Sequence, residues 1–273
     1  MALSETEITL LRERFAPEGS LLRRQQQRLT EMLVWLDATC RRHHIDCWLS
    51  CGTVLGACRH GGFIPWDDDI DVECRREDYD RLLAVLTDEA PAAGYALQSH
   101  DTDPGYFYAY AKLRDRRSHV KEPNAYDRIF ELQGIYIDIF PVEPMTGFLH
   151  WLSNRTFGLI YKVMKNPEYN NQQLIRKTDR IYRLNQRVCF PLIRLLAKLW
   201  PGHKQIYFGA GVPFEYTREL TELFPLSEVS FEGHRCIAPG NCDAYLRRIY
   251  GNWQQVPDVD KIRTHVSSLE IWD

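Results

Sequence analysis

Pro65-Trp66-Asp67-Asp68-Asp69-Ile70-Asp71-Val72-Glu73 places carboxylates at 67, 68, 69, 71 and 73 and, from Asp69 onward, alternates acidic with branched apolar residues. In an extended strand successive side chains point to opposite faces, so Asp69, Asp71 and Glu73 share one face while Ile70 and Val72 enter a core. Like charges at that spacing repel and raise each other's pKa, so the face stays ionised only with positive charge set among it. A divalent cation meets that need. Hard oxygen donors with no adjacent His or Cys select magnesium, manganese or calcium over zinc. Most acidic runs are solvated loops; here the apolar flank Phe63-Ile64-Pro65-Trp66 and the alternation that follows favour a strand opening into a cleft.

Working outward, Leu29, Met32, Leu33, Leu36 and Cys40 recur at helical spacing within 21–44, opposite an Arg/Gln face, which predicts a long amphipathic helix lying on a sheet. Residues 47–51 read as a short strand, and 52–59 as a tight turn entering a short helix. Gly52 allows close backbone approach to a phosphate, with the Thr53 hydroxyl and the helix-start amides as further donors. Downstream, 77–88 reads as a helix, and 108–115 alternates as a strand with Tyr110, Lys112 and Arg114 on one side. In 133–141, Ile135, Ile137 and Ile139 form one strand face and leave Asp138 among aromatics on the other. A lone Asp in an apolar strand is expensive to bury without a partner.

The 273 residues suffice for one large domain or a core with a helical annex, and 44% hydrophobic with 26% charged residues is an ordinary globular composition. A net charge of -3 argues against a nucleic-acid partner. The eight cysteines contain no Cys-x-x-Cys pair, which is not zinc-site spacing, and are read as free thiols in a reducing compartment. With no secretory pattern at the start and no long apolar run, the expected location is the cytoplasm. From 144 to 205 the pattern turns helical. Within it, 183–204 carries Val188, Phe190, Ile193, Leu195, Leu196 and Leu199 together with five Arg or Lys residues. That pattern fits either a packed helix with a solvated basic face or a peripheral contact with an anionic membrane at the inner face.

Leu55-Gly56-Ala57 followed by Arg59-His60-Gly61-Gly62-Phe63-Ile64-Pro65-Trp66-Asp67-Asp68-Asp69-Ile70-Asp71 closely resembles the motif of the LicD family of phosphocholine transferases, which is related to fukutin and fukutin-related protein. Gly134 to Pro141 is similar to the family's second acidic motif, and Pro239, Tyr245-Leu246, Tyr250-Gly251 and Pro257 to its C-terminal block. The resemblance implies an α+β fold of the nucleotidyltransferase superfamily, a mixed β-sheet core flanked by helices with a helical insertion. The catalytic core is then expected at 1–145, the helical segment at 146–227 and a C-terminal block packing on the core at 228–273.

Carried over residue by residue, the superfamily's turn falls on Gly52 and Thr53, its acidic pair on Asp69 and Asp71, and its third carboxylate on Asp138. Thr53 replaces the usual Ser or Gly and keeps a hydroxyl. Asp67 and Asp68 belong to the LicD-type motif and are not first-choice ligands. The implied reaction moves a phospho-alcohol, typically phosphocholine, from a CDP-activated donor such as CDP-choline to a sugar hydroxyl of a glycan or a lipid-linked precursor, with release of CMP. Asp69 and Asp71 would hold magnesium, or manganese, against the pyrophosphate, and Asp138 would bind metal or take the acceptor's proton. Lys112 and Arg114, then Arg59, are the candidates for gripping the pyrophosphate. Trp66, Tyr106, Tyr108, Tyr110 and Tyr136 are candidates for an aromatic cage around choline, whereas ribitol or glycerol would want polar partners. Two other readings stay open: nucleotidyl transfer with release of pyrophosphate, and a non-catalytic nucleotide- or cation-binding module.

Overall fold

The three informative alternations lie side by side in one seven-stranded mixed sheet. The computed structural model describes residues 3–121, 126–200, 204–262 and 268–272. After α1 (Glu5–Phe15) and α2 (Leu21–Arg42) come β1 (Cys47–Leu49), α3 (Cys51–His60), β2 (Ile70–Arg75), α4 (Arg76–Glu89), β3 (Tyr95–Gln98), β4 (Ala111–Asp115), β5 (Ser118–Lys121) and β6 (Tyr136–Met145). The sheet runs β1-β2-β6-β4-β3, and β6 also pairs β7 (Gln205–Phe208), which pairs β8 (Thr217–Arg218). Only β2 and β6 run parallel among these pairs; the others are antiparallel. A parallel pair needs a crossover, and the segment holding α4 and β3 to β5 supplies it.

The helices form where the periodicity asks for them. Leu29, Met32, Leu33, Leu36 and Cys40 of α2 are all buried, and Ser20 caps the helix by accepting from the Arg23 amide. Leu82 and Leu86 of α4 join the same core as Ile70, Val72, Ile137 and Ile139, one whole side of the two parallel strands. Gly56 has a packing reason: a Cβ there would meet the Gly62 carbonyl oxygen at 2.5 Å, so only glycine lets α3 lie against the loop that leads into the acidic motif.

The middle of the chain is helical: α5 (Gly147–Phe157), α6 (Leu159–Met164), α7 (Asn171–Leu184) and α8 (Phe190–Leu199). The single helix read over 183–204 divides. A π-turn at Asn185–Cys189 joins α7 to α8, Pro191 stands in the first turn of α8, α8 ends at Leu199, and β7 starts at Gln205. Residues 201–203 of that reading lie outside the described residues. The chain continues through α9 (Leu220–Leu223), the hairpin β9 (Ser227–Phe231) and β10 (His234–Ala238), α10 (Cys242–Tyr250), and β11 (Ser268–Ile271), which pairs β5. All eight cysteines are free, and Cys40, Cys47, Cys51, Cys74 and Cys236 are buried.

Candidate active site

Register builds the site. Asp71 of β2 stands opposite Asp138 of β6, and Asp138 stands opposite Lys112 of β4, so one row crosses three adjacent strands. Neighbouring strands lie about 4.8 Å apart, which brings these residues together although 67 positions of sequence, 138 less 71, separate the acids. Lys112 Nζ reaches Asp138 Oδ1 at 2.7 Å and lies 3.3 Å from the centre of the Tyr136 ring. The lysine is buried, so this pair balances charge where water cannot.

The strand β2 begins at Ile70, so Asp69 lies in the loop before it rather than in the strand itself. The loop is positioned through its backbone: the buried Gln25 and Gln26 of α2 donate to the carbonyls of Asp68, at 2.6 Å, and Asp67, at 3.0 Å. The Asp67 amide donates back to Ile64 at 2.8 Å. This curl turns three consecutive carboxylates inward, and oxygens of Asp67, Asp68 and Asp69 all lie within 4.8 Å of one another. Asp67 and Asp68 therefore rank with Asp69 as ligand candidates, against their lower standing in the sequence.

Asp71 feels the whole group. Burial above all, then the charges of Asp69, Asp138 and Asp67, push its carboxyl well above the usual range, and Lys112 opposes them. An all-carboxylate oxygen donor set with a partly buried acid whose pKa is raised by its neighbours suits a hard divalent cation, which would relieve that repulsion.

The first turn of α3 is tied to the same strand. The Thr53 hydroxyl accepts from the Asp71 amide at 2.9 Å, and a Cβ on Gly52 would lie 3.3 Å from Asp67 Oδ2. Cys51 adopts a φ of +42°, uncommon for a residue with a side chain, and its amide donates to the Tyr245 hydroxyl of α10 at 3.0 Å. Gly52 and Thr53 thus border the acids, and the turn's geometry is set by a residue from the far end of the chain.

Two expected cations hold the fold instead. Arg114 is buried, donating to Gln98 Oε1 and the Gly134 carbonyl, both at 2.7 Å. Arg59 is also buried and donates to the carbonyls of Trp253, at 2.8 Å, and Gln255. Strand alternation gives the face of Arg114 but not its depth, and Arg59, a weaker candidate, stands in the helix α3 and not on a strand. Glu73, on the face shared with Asp71, faces a different group: Arg218 of β8, Ser50, Trp48 Nε1 at 3.2 Å and the Tyr245 hydroxyl at 3.2 Å. No local signal in the sequence points to Arg218.

The aromatic candidates divide as well. Tyr106 and Tyr108 are buried in a cluster with Phe107 and Phe130, and Trp66 packs edge-on to Phe15. Tyr110 and Tyr136 stay beside Lys112. The more open rings are Phe214, which touches Phe140 two residues from Asp138, and the Tyr216–Tyr250 pair; the charges of Asp71 and Asp67 reach the Tyr250 phenol. A cleft of about 750 Å³ opens at the other end of β2 and β6, lined by Arg75, Arg76, Glu143 and Arg194, and holds none of the clustered aspartates.

His60, at the end of α3, accepts from Arg59 Nε at 3.0 Å, so it is built to be neutral. Burial first, then the charges of Arg59 and Arg12, push its pKa down from 6.5 to about 3. The unfolded chain takes up the proton first, so this contribution to stability is full above pH 6.5 and is lost as pH falls toward 3. One such group accounts for a slope of up to about 1.4 kcal/mol per pH unit. His60→Gln, which keeps an acceptor for Arg59, is expected to flatten the acid side of the stability profile in urea titrations between pH 7 and 5; an unchanged slope would refute the neutral-histidine account.

The family model described as "LicD/FKTN/FKRP, nucleotidyltransferase domain" matches residues 44–196, which include every element of the acidic row. The chain is 34% identical over 258 residues to the lipopolysaccharide cholinephosphotransferase LicD of Haemophilus influenzae, covering 89% of this chain and 95% of that protein. It is 28% identical over 116 residues to the human ribitol 5-phosphate transferase FKRP, covering 40% of this chain and 19% of that protein. The sheet register, the carboxylates converging at one end of its central strands and both comparisons agree: the chain belongs to the LicD/FKTN/FKRP family and carries its nucleotidyltransferase-like domain.

Proposed function

We propose that this protein is a divalent-cation-dependent phosphotransferase. It moves a phospho-alcohol, phosphocholine in first place, from a CDP-activated donor to a sugar hydroxyl of a cell-surface glycan or its lipid-linked precursor, releasing CMP. The observation that carries the reading is the row Asp71, Asp138 and Lys112, in register beside the Asp67–Asp69 carboxylates. The nearly full-length likeness to a lipopolysaccharide cholinephosphotransferase supports phosphocholine as head group and a glycan as acceptor. The partial likeness to a ribitol 5-phosphate transferase supports phospho-alcohol transfer as the wider class.

In this reading Asp67, Asp69 and Asp71 hold magnesium or manganese, and Asp68 completes the acidic loop. The cation, when bound, offsets the charge of the donor's pyrophosphate. Gly52 and Thr53 bound the side from which the phosphates approach. Lys112, already buried against Asp138, supplies the fixed positive charge beside the transferred phosphate, and Asp138 orients the acceptor hydroxyl. Phe214, Tyr216 and Tyr250 offer ring faces to a quaternary ammonium.

The test is a screen of CDP-choline, CDP-ribitol and CDP-glycerol with magnesium and glycan acceptors, scoring both released nucleotide and product. CMP release with the head group appearing on the glycan is the expected result. Release of pyrophosphate would instead assign nucleotidyl transfer. Tight binding of CDP-choline in calorimetry with no turnover on any acceptor would assign a binding module.

A further inference from the structure

The helical segment presents an apolar face that no other described part of the chain covers. Leu184, Val188, Leu192, Leu195, Leu196 and Leu199 are each 46% exposed or more, and they recur every three or four residues through the end of α7, the π-turn and α8. That spacing lines them along one stripe. The opposite side, Phe190, Ile193 and Ala197, is buried in the core, so the stripe is not a core face left open by chance. On α5, which packs against α8, Phe148 and Trp151 stack on each other with ring centres 5.9 Å apart and are 59% and 51% exposed.

Charge says what covers this face. From 180 to 200 the chain carries Arg180, Arg183, Arg187, Arg194 and Lys198 and no Asp or Glu. Arg194 is committed to Glu143 at 2.7 Å and Arg183 to Asp179 at 2.6 Å, while Arg180, Arg187 and Lys198 are exposed on the same helices as the leucines. Leucines and aromatic rings flanked by cations match the boundary between acyl chains and anionic head groups. A two-fold pairing of this face with a second copy would bring Arg180, Arg187 and Lys198 of both copies together, since the one nearby carboxylate, Asp179, is already taken by Arg183 and His100. No helix among the described residues is long and apolar enough to cross a membrane.

We infer that α5 and the α7–α8 stripe dock this protein on the surface of a bilayer carrying anionic lipids, with the leucines and Trp151 entering the head-group layer. The inference does not depend on the transfer reaction. Full-length protein is expected to sediment with phosphatidylglycerol/phosphatidylcholine vesicles, to leave them in high salt, and to ignore pure phosphatidylcholine. Leu192→Glu/Leu195→Glu and, separately, Arg187→Glu/Lys198→Glu should each lower the partition coefficient by about tenfold or more while far-UV dichroism and the melting curve stay as in the wild type. Three results would overturn it: no sedimentation of the wild type with anionic vesicles, binding by both double variants equal to that of the wild type, or a dimer in light scattering that Leu192→Glu/Leu195→Glu dissolves.

Discussion

Asp71→Asn is expected to abolish transfer, by about 10³-fold or more in kcat/KM, and at the same time to raise the melting temperature of the cation-free protein. The two effects have one source. In the fold the Asp71 carboxyl is raised above its usual value of 3.8, by burial first and then by Asp69, Asp138 and Asp67. The folded state therefore holds a proton that the unfolded state releases, and stability declines as pH rises through and beyond 3.8 until the folded group itself ionises. At neutral pH an amide in the same place removes that penalty, and each kcal/mol recovered lifts the midpoint by about 2–4 °C.

Magnesium should raise the midpoint of the wild type and leave Asp71→Asn nearly unmoved. Asp138→Asn is expected to lose activity similarly but to melt lower, because the buried Lys112 ammonium loses its carboxylate at 2.7 Å. Opposite signs in apo stability from two conservative changes in one row are a sharp signature, readable by calorimetry. Wild-type turnover by Asp71→Asn would sink the assignment of the site.

The largest effect on stability is expected two residues along the strand. Both side chains of the Glu73–Arg218 pair are fully buried, and Ser50, Trp48 and Tyr245 complete the carboxylate's hydrogen bonds. Removing one member of such a pair leaves an uncompensated buried charge, which costs about 3–5 kcal/mol. Glu73→Gln should therefore lower the melting temperature by about 10 °C. The double change Glu73→Leu/Arg218→Met should recover much of the loss, since apolar replacements of a buried pair are often neutral. A single variant that melts within a degree or two of the wild type would show that β8 and α10 are not held to the sheet through Glu73.

Local pattern was enough for the elements that are themselves local. The reading of 21–44 as a helix meets α2 at Leu21–Arg42, and the reading of 77–88 meets α4 at Arg76–Glu89, because both faces are continuous in sequence. The acidic strand is legible from its alternation, but it starts at Ile70, one residue later than the alternation suggests. The loop of Asp67–Asp69 is set by Gln25 and Gln26, more than 40 residues away, and no window around the motif contains them. That Asp71 and Asp138 meet followed from the family resemblance; that Lys112 joins them follows from an antiparallel register no single strand encodes. Arg114 and Arg59 show the converse: an arginine on the right face can serve carbonyls inside the protein as well as phosphates outside it.

The Glu73 pocket also sets an order of assembly. The acidic strand is near the front of the chain, yet its buried glutamate waits for Arg218, made 145 residues later, and for Tyr245, made 172 residues later. At about 5–20 residues per second a ribosome takes roughly 10–30 seconds to cover that stretch. Until then Glu73 has only its near neighbours Ser50 and Trp48, and the strand that carries Asp71 keeps a charged side chain hydrated at what becomes the centre of the molecule. The acidic strand is laid down early in the polypeptide, and its buried end is closed by the last quarter.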